Sequence, residues 1–411
     1  MPDFILHSDL NCFYAAVEIN DEPSLRGKCV AVCGSTENRH GIVLAKSYEA
    51  KRYGVKTGQA NWQAKQACPE LIMIEPNYEK YLYYSRVVRS IYARYSNYIE
   101  PFGMDENWIL LPNLESIARA HEIADEIRQS IKREVGLTVS IGVSFSKIFA
   151  KLGSDMKKPD AITVISQENY RQLIWPLPVG EILYAGPRTT RKLRDVGVYT
   201  IGQLAAFPEE AIKEKLGKNG VMLRSFARGE DGAKVAPCGY ASPIKSVGHG
   251  ATCVRDIETV EEAWRVIYEL CQDINHRLIR HSFLAGGVSL YIRYSDLEGF
   301  LFQSPLPFVT RSPLDIALGA FRLYRLNCQH ERPVRALTVS AIKLSDEREP
   351  GQTDLFGLSD RNKKIQALDD TVDKLRDRFG ARSLVAASLL NPTPIATDRC
   401  ETVPMPAIMY R

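Results

Sequence analysis

The chain has 411 residues, 45% hydrophobic and 25% charged, with a formal net charge of +4. These are globular proportions at a length too great for one core, so several domains are expected. No stretch reaches the roughly 18 apolar residues of a membrane span, the opening MPDFILHSDLNCFY lacks the basic start of a signal peptide, and the nine cysteines form no CxxC pair. A cytoplasmic protein with reduced thiols and no structural zinc is expected. The mild basicity, pI about 8.4, by itself says little about nucleic acid.

In chain order, FILHSDL (4–10) predicts a buried strand. Residues 20–77 carry their own Gly and Pro punctuation and read as a small insert. Helical periodicity follows over 78–96, a strand candidate NWILL over 107–111, a second helix over 116–136, and an apolar strand LTVSIGVSF over 137–145. Strands mixed with helices predict a sheet domain of the α/β or α+β kind. The helix SKIFAKLGSDM ends at Lys157-Lys158-Pro159, where the proline holds its neighbours extended. Residues 167–230 look wholly helical. Within them GPRTTRKLRDVGVYTIGQLAAF (186–207) places a helix, a turn at Val196-Gly197-Val198 and a second helix from near Thr200. This is either a helix–hairpin–helix that offers backbone N–H groups to a DNA phosphate or a plain helical hairpin. The stretch 229–245 is rich in Gly, Pro and Ala and reads as a linker. After it comes β-α-β-β-α-β, the ferredoxin-like order. The part from 346 to 411 starts polar, holds one mixed-charge helix near 360–379 and ends Pro-rich.

Asp9 closes the first strand, and Asp105 and Glu106 stand side by side far away in sequence. Adjacent carboxylates in an apolar setting repel unless a cation neutralises them. Magnesium suits such a site, since it is hard and accepts one or two carboxylates together with substrate phosphates. Taken singly, each residue reads as a cap or a surface charge; the combination carries the argument. In SYEAKRYG (47–54), Tyr48 shares a helix face with Lys51 and with Arg52. A hydroxyl and a cation on one face suit a triphosphate, although a solvated amphipathic helix looks the same.

Together, SDLNCFYAAVE (8–18), SYEAKRYGV (47–55), EPFGMDE (100–106), SIGVSFSKIFAKLGSDMKKPD (140–160) and the helical hairpin resemble the Y-family, or translesion, DNA polymerases, closest to the bacterial DNA polymerase IV group. The resemblance runs in order to about residue 345. It implies an α+β multidomain right hand: palm 1–19 and 78–166, fingers 20–77, helical thumb 167–230, linker 231–242, a ferredoxin-like little finger 243–345 and a tail 346–411. It implies Asp9, Asp105 and Glu106 as catalytic metal ligands, with the Leu10 carbonyl beside them and two Mg2+ ions. Phe13, Tyr14, Tyr48, Lys51 and Lys158 would bind the nucleotide, with Tyr14 as the steric gate against a ribose 2′-hydroxyl. Gly186, Arg188, Thr189 and Gly197 would meet DNA. Gln352-Thr353-Asp354-Leu355-Phe356 resembles a sliding-clamp peptide, with Gln352, Leu355 and Phe356 as its contacts. The expected partners are primer–template DNA, deoxynucleoside triphosphates and a clamp; a monomer is expected, with no membrane. The expected activity is low-fidelity, lesion-tolerant DNA synthesis. The rival readings are a weak or inactive scaffold of this fold, another palm enzyme such as a nucleotide cyclase, and a non-enzymatic DNA-binding module. The sequence departs from the family pattern at Asn11, Gly103, Leu110, Lys51 and Tyr184; a lysine at 51 gives a point charge where an arginine gives a fork.

Overall fold

The computed structural model describes residues 2–37, 39, 41–329, 331–348, 358–390, 394 and 395; Gln352, Leu355 and Phe356 lie outside the described residues. Two compact units are present. The first runs to Gly34 and resumes over Ile42–Ala241; the second begins at Ser242 and also takes in the loop Ser35–Gly41. No helix among the described residues is long and apolar enough to cross a membrane.

The first unit opens with β1 (Phe4–Leu10), buried along its whole length, and α1 (Phe13–Asp21). Next come β2 (Val30–Cys33), β3 (Val43–Lys46), α2 (Tyr48–Arg52), α3 (Asn61–Ala67) and β4 (Ile72–Ile74). Their three strands form a small sheet in the order β3-β2-β4. Ala31, Val43, Ala50, Val55, Ala64 and Leu71 make its core, together with Cys29, Cys33 and Cys68. The chain then returns through α4 (Tyr78–Tyr92), β5 (Ile99–Pro101), β6 (Glu106–Leu111), α5 (Ile117–Val135), β7 (Val139–Ser144), α6 (Lys147–Met156) and β8 (Ile162–Ile165). The resulting five-stranded sheet has the order β5-β6-β1-β7-β8. Alternation along β1 sorts its side chains between two covers. Ser8 points to α4, where the Tyr92 hydroxyl donates to its Oγ at 2.9 Å; His7 and Asp9 point to α6.

Four helices follow: α7 (Tyr170–Ile174), α8 (Pro187–Asp195), α9 (Ile201–Ala206) and α10 (Glu209–Ala227). They share a core with Ile148, Phe149 and Leu152 of α6. Thr200 caps α9, accepting from the Gln203 N–H while the Gln203 side chain accepts from Thr200. Tyr184 has φ +71°, the left-handed backbone that favours glycine; the departure noted in the sequence thus keeps the conformation and changes the residue. The segment read as a linker is tied down along part of its length. Val235 is buried against Ile5, Trp108 and Ala150, and the Ala236 N–H donates to Glu100 at 2.9 Å.

The second unit contains β9 (Ser246–Ile257), α11 (Val260–His281), β10 (Phe283–Tyr294), β11 (Gly299–Thr310), α12 (Pro313–Asn327) and β12 (Val334–Asp346). The sheet order is β11-β10-β12-β9, antiparallel at each pairing. Each β-α-β pair therefore has another strand inserted between its two parallel members, a doubly split arrangement with β12 and β10 at the centre. Pro305 and Pro307 fall in β11 at the sheet edge, where a missing N–H is tolerated. A last helix, α13 (Leu358–Phe379), folds back on this unit. Arg311 pairs with Asp370 at 2.8 Å, His276 with Asp373 at 2.8 Å, and Arg376 donates to Gln272 at 2.8 Å.

Candidate active site

Register brings the carboxylates together. Asp9 on β1 is the direct partner of Glu106 on β6, so two acidic side chains face each other across neighbouring strands. Such like-charge opposition is unfavourable in a sheet. Asp105 precedes Glu106, and its carbonyl accepts the Leu10 N–H at 3.0 Å, locking the turn after β1 to the start of β6. Burial, and then the neighbouring Glu106 charge, lifts Asp9 to about 7 and Asp105 to about 6. Glu106 is also penalised by burial, yet His7 and Lys151 hold it down at about 2.

Two ammonium groups stand among the carboxylates. Lys158 Nζ is 2.8 Å from Asp9 Oδ2; Lys151 Nζ is 3.0 Å from Glu106 Oε1 and 3.5 Å from Asp9 Oδ2. Asp155 pairs with both, at 2.9 Å from Lys158 and 3.0 Å from Lys151. The three carboxylates do not converge on one point. Among the described residues the group of His and Asp close enough to share an ion is His276, Asp373 and Asp377 in the second unit. There Arg280 lies 3.8 Å from Asp377, and His276 already pairs with Asp373.

The reach of α6 depends on small residues. A Cβ on Gly142 would stand 1.9 Å from the Ala150 carbonyl oxygen, and one on Gly153 would stand 3.1 Å from the Gly142 Cα. The helix backbone therefore lies directly on the sheet, which lets Lys151 and Ser154 reach the β1 side chains. The loop bearing Lys158 is fixed from below. The Asp160 N–H donates to Asn11 Oδ1 at 2.9 Å, Asn11 Nδ2 donates to Ser140 Oγ at 3.0 Å, and the Asp160 carboxylate meets Arg128 and Lys132 at 2.7 Å each. Asn11, noted as a departure, thus serves as a buried clip between loops.

The expected gate residue is rigid. Tyr14 on α1 stacks on Tyr81 at 4.3 Å and meets Tyr78 edge-on at 6.1 Å. The Tyr81 hydroxyl donates to Glu18 at 2.7 Å and its ring is fully buried. Burial, and then the Asp105 charge, pushes the Tyr14 phenol above its ordinary range, so the hydroxyl stays protonated. Phe13 is buried behind it. On the other side, Ser47 caps α2 by accepting from the Ala50 N–H. Tyr48 hydrogen-bonds Cys12 in the turn after β1, and Lys51 Nζ lies 5.7 Å from the Tyr48 ring centre. Tyr48, Glu49, Lys51, Arg52, Lys158 and Pro159 line one cleft of about 470 Å3.

Tyr48, Lys51 and Lys158 therefore share a cleft, and Lys158 ties it to Asp9. Gly186, Arg188, Thr189 and Gly197 do not join it; they lie at the start of α8 and in the α8–α9 turn. His7 and Lys151 were given no role from sequence, and Arg52 only a place on the helix face of Tyr48. For Lys151 the signal was there: it precedes Asp155 by four on one face of α6. His7 carries the alternation signal of Asp9, two residues on.

Known proteins match this chain along its length. Residues 8–155 match the impB/mucB/samB family, and residues 244–355 match the C-terminal domain of the same family. DNA polymerase IV of Acetivibrio thermocellus is 42% identical over 391 residues, 95% of this chain and 98% of that protein. DNA polymerase IV 1 of Bacillus subtilis is 36% identical over 379 residues, 92% of this chain and 91% of its own. A solved Y-family DNA polymerase chimera superposes with a TM-score of 0.73 at 21% identity, covering 84% of this chain and 99% of the chimera.

Proposed function

Because the chain belongs to the impB/mucB/samB family of Y-family DNA polymerases, we propose that it extends a primer on a DNA template with deoxynucleoside triphosphates, including opposite damaged bases. The observation that carries this reading is the register pairing of Asp9 with Glu106, with Asp105 adjacent and a cation-lined cleft alongside. The donor set fits a hard divalent ion: oxygen-only carboxylates, two of them with raised pKa values, and a buried Glu106 Oε2 that His7 Nε2 approaches only to 3.5 Å, short of a full hydrogen bond. Asp9, Asp105, Glu106 and the Leu10 carbonyl would hold Mg2+, two ions in our reading. Bound there, the ions supply charge neutralisation at the attacking and leaving oxygens.

The chain's own residues do the rest. Lys158, whose ammonium pairs with Asp9, would serve the triphosphate from the same position in the cleft. Tyr48 and Lys51 complete the phosphate side of the cleft, and each contact gains as charge develops on the leaving group. Tyr14, held by Tyr81 and Tyr78, presents a fixed ring edge where a 2′-hydroxyl would stand. Residues 20–77, read as fingers, have only a small core with which to enclose a nascent pair, which suits tolerance of damage at the expense of fidelity. Gly186, Arg188, Thr189 and Gly197 would grip duplex phosphate backbone, and the peptide of Gln352, Leu355 and Phe356 would tether a monomer working in the cytoplasm to a sliding clamp. Primer extension with purified protein, all four deoxynucleotides and Mg2+ tests the reading; no extension on an undamaged or lesion-bearing template would refute it.

A further inference from the structure

Glu106 meets Lys151 at Oε1, 3.0 Å away, and faces His7 at Oε2, 3.5 Å away, and His7 has no part in the function proposed so far. His7 and Ser154 are 0% exposed. The His7 ring packs edge-on against Trp108 at 5.3 Å, its Nδ1 lies 2.8 Å from Ser154 Oγ, and its Nε2 lies 3.5 Å from Glu106 Oε2. The hydrogen positions follow from the inventory of the three groups. A carboxylate can only accept, and a serine hydroxyl has one hydrogen to give and lone pairs to receive. A tautomer with its hydrogen on Nδ1 would aim an Nε2 lone pair at the carboxylate in an enclosed site, a costly arrangement. With Ser154 donating to Nδ1, the hydrogen falls on Nε2 and faces Glu106. The Lys151 carbonyl, 2.8 Å from Ser154 Oγ, competes for the hydroxyl hydrogen but is already served by the α6 ladder. If the ring were charged, Nε2 would still carry hydrogen.

We propose that His7 is a positioning residue for Glu106: Ser154 sets the ring's tautomer, and the ring, with Lys151 at the opposite oxygen, fixes the carboxylate in the orientation that metal binding requires. Each Glu106 oxygen keeps a second lone pair for the ion. The proposal rests on the reading of Asp9, Asp105 and Glu106 as metal ligands. Groups that orient ligands in this way change metal affinity or activity by about 10- to 100-fold when removed.

The test uses the full chain with His7→Phe, His7→Gln and Ser154→Ala. Mn2+ binding is followed by electron paramagnetic resonance without DNA, the Mg2+ dependence of single-nucleotide insertion with DNA, and folding by circular dichroism. His7→Phe is expected to weaken Mn2+ binding about tenfold and shift the Mg2+ requirement equally, with most of the rate recovered at saturating Mg2+. His7→Gln, whose amide can still donate, should recover part of the loss, and Ser154→Ala should shift affinity the same way by less. Native Mn2+ affinity in His7→Phe overturns the proposal, as does a rate loss that neither excess Mg2+ nor glutamine repairs. Should His7→Phe fail to fold, Ser154→Ala decides: unchanged Mn2+ affinity overturns the proposal. A native protein that binds Mn2+ but extends no primer refutes the polymerase reading alone, since the Mn2+ isotherms still test His7.

Discussion

Asp105→Asn should make the metal-free protein more stable while removing its activity. Burial, reinforced by Glu106, raises Asp105 from 3.8 to about 6. At about 1.4 kcal/mol per tenfold, this corresponds to about 3 kcal/mol of ionisation penalty, an upper figure for a group water can partly reach. The sign follows from which state holds the proton. Between pH 4 and pH 6 the unfolded chain ionises first, so native stability falls as pH rises through that window, and the full penalty stands above it. Asparagine keeps the shape without the charge. We expect a gain of about 1–3 kcal/mol at pH 8 and almost none at pH 4, read by urea unfolding in chelator. Primer extension in Mg2+ should fall below detection, while primer–template binding stays near native. An equal gain at both pH values would refute the burial argument; substantial extension would refute the metal-ligand assignment.

Tyr14→Ala should admit ribonucleotides, seen as a rise in ribonucleotide relative to deoxynucleotide kcat/KM; unchanged discrimination would place the gate elsewhere. Arg52→Ala, which removes a cation from the cleft shared with Lys51 and Lys158, should raise KM for the incoming nucleotide about tenfold with little change in kcat, since a charge-assisted contact is worth about 1.5–3 kcal/mol; native KM would remove Arg52 from the phosphate side. Leu355→Ala with Phe356→Ala should leave extension without clamp intact and abolish the gain from a loaded clamp, because a micromolar tether acts through effective concentration. Retention of the full gain would exclude this peptide as the contact.

The sequence made the carboxylates legible because chemistry restricts them to few residue types and because the strand carrying Asp9 is continuously apolar. It also gave the helix starting near Thr200, where a capping side chain marks the boundary. The three strands of residues 20–77 stayed unread because they are three or four residues long and short apolar runs lack a period. The role of Glu100 as anchor of the 231–241 segment was equally hidden, since a contact across 136 residues leaves no local pattern. The same holds for Asn11: in sequence it is only a departure from the family pattern, and only the fold reveals Ser140 and Asp160 as its partners.

Gly142→Ala tests how the site is organised as a whole. Lys151, Ser154 and Asp155 all belong to α6, so the charge balance at Asp9 and Glu106 is set by how closely that helix lies on the sheet. A methyl at 142 would stand 1.9 Å from the Ala150 oxygen, where ordinary contact begins near 3.4 Å. That obstacle is helix backbone, which cannot rotate aside, so α6 must retreat by about 1.5 Å. Lys151 would then lose its 3.0 Å contact to Glu106, and Ser154 its 2.8 Å contact to His7. Overpacking of this kind costs about 1–3 kcal/mol, which urea unfolding will register. Glu106, held low by His7 and Lys151, should rise toward its carboxylate neighbours, and the Mg2+ requirement should rise with it. If Gly142→Ala lowers stability but leaves the Mg2+ curve in place, α6 supports the fold without setting the electrostatics of the carboxylates.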